Sequence, residues 1–260
     1  MTNVSDGSIF GQDLNLFNCS WLHIYRQYRA QLTRSTYQSI SNMKLAILGA
    51  TGQTGQCLIR QAIKAGHQVV AVVRDPEKLR DIEQNVDDFS LKIVKGDIYS
   101  SDSLQPIFNG CDAVLSGLGG QALFSTITLY SRSCKAIIEA MRQANVKRFV
   151  VITSWYTQVD PKDDPGFVAR WVIRPMLKKV LSDMLIMETY LEKECQDIDY
   201  TAVRPAQLNS KQSTGQPFIV EERQFVNAST SISRADVARF MLQCLDEDKY
   251  YKKLLAIGVK

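Results

Sequence analysis

The amino-acid sequence predicts an α/β chain built on a doubly wound, mostly parallel sheet with helices on both faces. Three observations predict it. The run from Lys44 to Leu48 suits a central strand covered on both sides, and it ends in Gly49-x-x-Gly52-x-x-Gly55. Apolar strand-length runs then alternate with helical patterns to the end of the chain, which calls for parallel pairing through right-handed crossovers. At 260 residues and 45% hydrophobic content, the chain is sized for one such domain with an appendage.

The elements follow in order. After the glycines a helical stretch covers 54–65, with Cys57, Leu58, Ala62 and Ile63 on one face and Gly66 as its cap. A second strand covers 68–73. Strand, helix and strand together make a βαβ unit of about 30 residues. In such a unit the glycines turn the chain sharply and let backbone N–H groups approach a pyrophosphate at a helix N-terminus, the fingerprint of a dinucleotide-binding Rossmann fold. The alternative is a tight turn and nothing more.

At the end of the second strand stand Arg74 and Asp75. An acidic residue there accepts bonds from a ribose hydroxyl, whereas an arginine favours a 2′-phosphate. Arg74, with Lys78 four residues on, can reach one phosphate, while Asp75 caps the next helix with Pro76 at its first position. The cofactor read from these residues is NADP(H) in preference to NAD(H). The alternative is that Arg74 is a solvated surface residue.

A third strand over 91–94 leads into Gly96-Asp97-Ile98, and a short helix beginning at Ser101 or Ser103 ends near Asn109-Gly110. A fourth strand, 113–118, closes on Gly119-Gly120. A long helix covers 126–144 and a fifth strand 148–153. A loop rich in Asp and Pro, 157–165, precedes a helical region over 168–195. A sixth strand covers 200–203, a late helix 234–245, and 254–257 forms a last edge strand. Ligands of such sheets bind at the carboxyl ends of the strands. Gly96-Asp97, Leu118-Gly119-Gly120, Thr153-Ser154-Trp155-Tyr156 and Arg204-Pro205-Ala206 all fall there.

Residues 1–42 read differently. They lack period-2 alternation, and from Cys19 to Asn42 carry Arg26, Arg29 and Arg34 and no acid. The expectation is a poorly ordered extension, with the Rossmann domain occupying 43–260 and a cytoplasmic location. A mitochondrial targeting peptide is the alternative, with Asp6 and Asp13 against it. The net charge of +4 forms no basic stripe, so nucleic acid is not implied. No apolar run is long enough to span a bilayer. The six cysteines are scattered without Cys-x-x-Cys, which argues for reduced thiols and against zinc or any other metal. Nothing in the sequence fixes the oligomeric state, and a monomer is the expectation.

Gly49-Ala-Thr-Gly-Gln-Thr-Gly55, Val73-Arg74-Asp75, Gly96-Asp97, Thr153-Ser154 with Asp160-Pro161 following, and Phe240-Met-Leu-x-Cys244 together resemble the flavin reductase/biliverdin-IXβ reductase family, an atypical branch of the short-chain dehydrogenase/reductases. The resemblance covers residues 43–251, and the glycine heptad is shared with the NmrA-like redox sensors. It implies that Thr51, Gly52, Gln53 and Thr54 line the pyrophosphate and that Arg74 and Lys78 take the 2′-phosphate. It further implies that Asp97 and Ile98 flank the adenine, that Leu118 and Gly119 approach the nicotinamide ribose, and that Ser154 faces nicotinamide and substrate. That family also places two histidines near its substrate, where this chain has Met184 and Gln207. His67, at the start of the second strand, is read as structural.

Ordinary short-chain dehydrogenases use Tyr-x-x-x-Lys to protonate an alkoxide. Here Tyr130 is followed at that spacing by Cys134, Tyr156 by Asp160 and Tyr190 by Glu194. What remains is hydride transfer to a planar acceptor such as a flavin (FMN or riboflavin) or biliverdin, in which alignment of two ring systems carries the catalysis. Ser154 either orients nicotinamide or substrate, or bonds local backbone at a strand end. Trp155 and Tyr156 either stack on a flat substrate or pack the core. Pro205 and Gln207 complete the substrate side. Arg170, Arg174, Lys178 and Lys179 either attract an anionic ligand or make a solvated helix face. A nucleotide-sensing protein without turnover, as in the NmrA-like relatives, is the second reading.

Overall fold

The computed structural model describes residues 42–83, 89–119, 128–158 and 166–259; the extension 1–41 and most of the Asp/Pro loop lie outside the described residues. β1 (Lys44–Leu48) pairs in parallel with β2 (Gln68–Val73) on one side and β4 (Ala113–Ser116) on the other, and β3 (Leu91–Lys95) flanks β2. Beyond β4 lie β5 (Arg148–Ile152) and β6 (Asp199–Pro205), again parallel. β7 (Gln207–Asn209) and β9 (Ser231–Ser233) make a separate two-stranded sheet. β8 (Phe218–Glu221) and β10 (Lys253–Val259) complete the large sheet in the order β3-β2-β1-β4-β5-β6-β10-β8.

Alternation along each strand divides the core between two faces. Leu45 and Ile47 of β1 join α1 (Gln53–Lys64) and α7 (Arg234–Gln243) on one face through Leu58, Ile59, Val237 and Phe240. Ala46 and Leu48 point the other way, towards α3 (Ser101–Phe108), α4 (Leu129–Gln143) and α6 (Arg174–Glu194), where they join Leu104, Phe108, Ile137 and Met187. A strand covered on both faces has no solvated side, which is why β1, β4 and β5 are apolar almost throughout.

The structure departs from the sequence expectation in the short strands β7, β8 and β9, in the last strand and in the long helical region. The last strand is interior: β10 pairs in parallel with β6 and antiparallel with β8, which forms the edge. Its run Leu254, Leu255, Ala256 and Ile257 is buried throughout, as an interior strand requires. The long helical region is also interrupted. A short turn α5 (Gly166–Val168) passes into a π-helical turn, Ala169–Ile173, before α6 begins. Pro175 lacks the N–H that would reach back one turn, and the wider turn absorbs the mismatch. A third element beside β2 is the brief 3-10 turn Pro76–Leu79 running into α2 (Arg80–Glu83).

Buried polar groups fix the β5–β10 side. Arg204 on β6 donates from Nε and Nη2 to the two oxygens of Glu188 on α6, at 3.0 and 2.8 Å, with both side chains buried. Arg148 on β5 has no carboxylate partner among these bonds; its Nη2 donates to Thr201 Oγ1 at 2.8 Å and to the Cys244 carbonyl at 2.6 Å, and the guanidinium stacks over Tyr251. Asp183 on α6 accepts from the Tyr130 N–H at 2.7 Å and from the Ser131 hydroxyl, capping α4 from another helix. No helix among the described residues is long and apolar enough to cross a membrane.

Candidate functional site

From β1 the chain winds to β2 and β3 on one side, and from β4 to β5 and β6 on the other, so β1 and β4 flank the topological switch point. A cleft of about 420 Å³ opens over the strand ends there. Its floor is Gly49–Gly52 after β1 and Gly117–Gly119 after β4. Val72, Val73 and Arg74 close one end with Ile98 and Tyr99, and Thr128 and Leu129 at the start of α4 form a further wall. The volume falls in the range of small-molecule and cofactor pockets.

The glycines are there for backbone approach. Gly49 has φ +71°, and a Cβ on it would lie 2.6 Å from the Gly117 carbonyl carbon. A Cβ on Gly55 would lie 2.1 Å from the Gly49 oxygen. Backbone cannot yield to a clash of that size, so both positions admit glycine alone. The result is that α1 starts immediately beneath the cleft. Gly52 occupies its N-cap without a side chain to cap it, and the first turn carries no acid. The N–H groups of that turn, together with the helix dipole, suit an anion. A nicotinamide dinucleotide fits this cradle, with its pyrophosphate at the α1 terminus that the two glycines bring beneath the cleft.

Of the remaining sequence-derived residues, Thr51, Arg74, Ile98, Leu118 and Gly119 line the cleft with Gly49 and Gly52. Gln53, Thr54 and Gly55 form the first turn of α1 behind it, and Gln53 Oε1 accepts from Ser210 Oγ at 3.2 Å. Asp75 turns its carboxylate back to the Glu77 N–H, capping the 3-10 turn. This leaves Arg74 as the polar side chain that the end of β2 offers the cleft. Lys78 is exposed in the same turn but outside the lining. Asp97 likewise turns inward on its own loop, accepting from the Tyr99 N–H at 2.9 Å.

The residues after β5 are placed apart from the cleft lining. Ser154 is half-buried between Thr153, whose N–H donates to the Val203 carbonyl, and Trp155, whose N–H donates to the Pro205 carbonyl. Trp155 is buried, its ring edge-on to Tyr156 and tilted against Phe225. Its Nε1 and the nearby Thr157 hydroxyl are buried with no hydrogen-bond partner among the described residues. Tyr156 stands at φ +66°, a backbone region that a bulky residue occupies only under local constraint. Burial pushes its phenol upward, opposite to the lowering that a proton-donating tyrosine gains from a lysine. Gln207 is exposed at the start of β7, and Met184 is packed in the core. His67 is buried before β2, at the other end of the sheet from the cleft; its Nδ1 accepts from the Met43 N–H, and burial lowers its pKa.

Sequence reasoning missed Ala50, Val72, Val73, Tyr99, Gly117, Thr128 and Leu129. Gly117 was the most accessible of these, since it directly follows β4 where close approach is needed. Tyr99 carries the Arg132 guanidinium over its ring at 4.9 Å, a pairing across 33 residues that no local pattern announces. Cys57, Cys111, Cys134, Cys195 and Cys244 are free thiols, and no His, Cys, Asp and Glu group among the described residues is arranged to hold a metal.

Comparison with known proteins agrees with this geometry. Residues 49–248 match the family model described as NAD(P)H-binding. A UPF0659 protein of Saccharomyces cerevisiae is 30% identical over 217 residues, covering 79% of this chain and 88% of that protein. Among solved structures, the oxidoreductase ylbE from Lactococcus lactis superposes with a TM-score of 0.69 at 21% identity, covering 84% of this chain and 91% of the other. A putative NADH-flavin reductase from Streptococcus pneumoniae gives a TM-score of 0.64 at 24% identity, covering 84% of this chain and all of the other. The chain belongs to the NAD(P)H-binding family.

Proposed function

We propose that this protein is an NADPH-dependent reductase that delivers hydride to a flavin or a similar planar acceptor. The observation that carries the cofactor half is Arg74: it lines the cleft at the end of β2 while the neighbouring carboxylate of Asp75 is occupied as a cap. A bound nicotinamide cofactor supplies the hydride. The chain's part is to seat the pyrophosphate on α1, to hold the 2′-phosphate at Arg74, and to orient the nicotinamide over Leu118 and Gly119. Ser154 and Tyr156, half-buried at the end of β5, are assigned to the acceptor side with Pro205 and Gln207; Trp155 supports Tyr156 from the core. A flavin suits this set because its proton can come from solvent, and the sequence has no Tyr-x-x-x-Lys to supply one.

The second reading, a nucleotide sensor without turnover, is favoured by one observation: Met184 is buried in the core where the resembled family has a histidine. Mixing the purified protein with NADPH and FMN separates the two. Saturable, FMN-dependent loss of NADPH absorbance, reduced in Ser154→Ala with NADPH affinity retained, is expected of the reductase. NADPH binding without oxidation would favour the sensor.

A further inference from the structure

Tyr99, in the loop after β3, is 40% exposed and lines the cleft. Its backbone is fixed by its own loop. The Tyr99 N–H donates to Asp97 Oδ1 at 2.9 Å, and the Asp97 N–H donates to Ser103 Oγ on α3 at 3.0 Å. Its ring is met from the other wall. The guanidinium of Arg132, on α4 about one turn beyond Leu129, lies 4.9 Å from the ring centroid. The pair ties the loop after β3 to the helix after β4, and the start of that helix, Thr128 and Leu129, lines the same cleft. A cation over an exposed ring adds little to stability. Fixing an aromatic ring at the edge of a ligand cleft is the larger consequence.

The chemistry of the cofactor says what meets that ring. In a doubly wound sheet the residue at the end of the second strand meets the adenosine ribose, so Arg74 marks that half of a dinucleotide. The base is joined to the same ribose, and Ile98 and Tyr99 line the cleft beside Arg74. We propose that Tyr99 is the platform on which the adenine stacks, with Arg132 as a positioning residue that holds the ring, so that the base is gripped by its face and not read at its edge. Aromatic side chains bind bases in this manner because every base has a π-face. Among the described residues the cleft lining contains no carboxylate, side-chain amide or imidazole to pair with the amino edge of adenine. Asp97, the nearest carboxylate in the loop, lies outside the lining and accepts from the Tyr99 N–H. The inference rests on the nicotinamide-dinucleotide reading of the cleft and is independent of the acceptor.

Calorimetric titration of the full chain with NADPH, NADH and the hypoxanthine analogue of NADPH tests it. In the analogue an oxo group replaces the adenine amino group, which alters the edge and keeps the π-face. It is expected to bind within about threefold of NADPH, whereas a site that reads the edge would lose about tenfold or more. Tyr99→Ala is expected to weaken NADPH and NADH alike by about five- to a hundredfold, at the parent melting temperature, and Tyr99→Phe to bind as the parent does. Arg132→Gln should lose about two- to fivefold and Arg132→Lys, which keeps the cation, should restore it. Parent-like affinity in Tyr99→Ala, loss in Tyr99→Phe, or rejection of the analogue would overturn the stack. Parent-like affinity in Arg132→Gln would overturn the positioning role. A parent protein that binds neither nucleotide would overturn this inference together with the cofactor reading. Equal binding of NADPH and NADH, both weakened in Tyr99→Ala, would overturn the NADPH preference alone and support the stack.

Discussion

On the β1–β3 side of the switch point the cleft is shaped by backbone, with Gly49 and Gly55 packed so closely that a single added carbon on either would clash. On the β5–β10 side the structure is held by side chains from distant parts of the chain: Glu188 on Arg204 near the end of β6, and Asp183 on the start of α4. In the proposed function, the contrast follows from what each side handles. A pyrophosphate is the same in every dinucleotide and is met by N–H groups, whose positions follow from turn geometry. An acceptor varies, and the wall that meets it is set by long-range contacts that can change without disturbing the cradle.

The first way to break this comparison is Glu188→Ala. It leaves Arg204 buried without its partner and is expected to cost about 3–5 kcal/mol of stability, with the NADPH affinity of the folded protein little changed. Urea unfolding and NADPH titration on the same sample would show it; an affinity that fell with stability would erase the distinction between the two sides. The converse is Gly55→Val, expected to weaken NADPH binding by about a hundredfold or more, since the clash with the Gly49 carbonyl displaces the first turn of α1. Retained affinity would mean that the cradle is not built on that contact.

A smaller effect is expected at Asp183, which bridges the two sides. Asp183→Ala leaves the Tyr130 N–H without its acceptor and should cost about 1–3 kcal/mol. It should also raise the NADPH dissociation constant modestly, because Thr128 and Leu129 belong to the cleft wall. An unchanged constant would confine Asp183 to stability.

The smallest expected effect is a pH dependence of stability. Burial raises the Asp236 carboxyl, but hydrogen bonds from Ser213, the Thr214 N–H, Ser233 and Arg239 outweigh it and hold the pKa at about 2. A carboxyl held below its unfolded value adds stability that is complete above about pH 4 and is lost as pH falls towards 2. Asp236→Asn should therefore flatten the acid limb of the denaturation midpoint over that interval, and an unaltered limb would contradict the assignment.

What was legible in the sequence follows the same division. The bounds of β2 and the cap at Asp75 were readable because apolar runs and Asp-Pro punctuation are local signals. The glycine cradle was readable because its spacing is a steric requirement. β7, β8 and β9 are three or four residues long and acquire their identity only from their partners, so residues 206–233 offered no pattern to read. β10 passed for an edge strand because the strand that covers it was not visible. The cap that Asp183 places on α4 spans 53 residues, and the burial of Trp155 depends on Phe225. The π-helical turn was open to inference from Pro175, whose missing N–H interrupts any continuous helix.

The most direct test of the cofactor assignment is calorimetric titration of the protein with NADPH and with NADH, repeated on Arg74→Ser. One charge-assisted bond to phosphate is worth about 1.5–3 kcal/mol, so the account predicts NADPH bound about ten- to a hundredfold more tightly than NADH. It also predicts that Arg74→Ser removes this preference while leaving NADH affinity unchanged. Equal affinity for the two nucleotides in the parent protein, or a preference that survives the substitution, would contradict it.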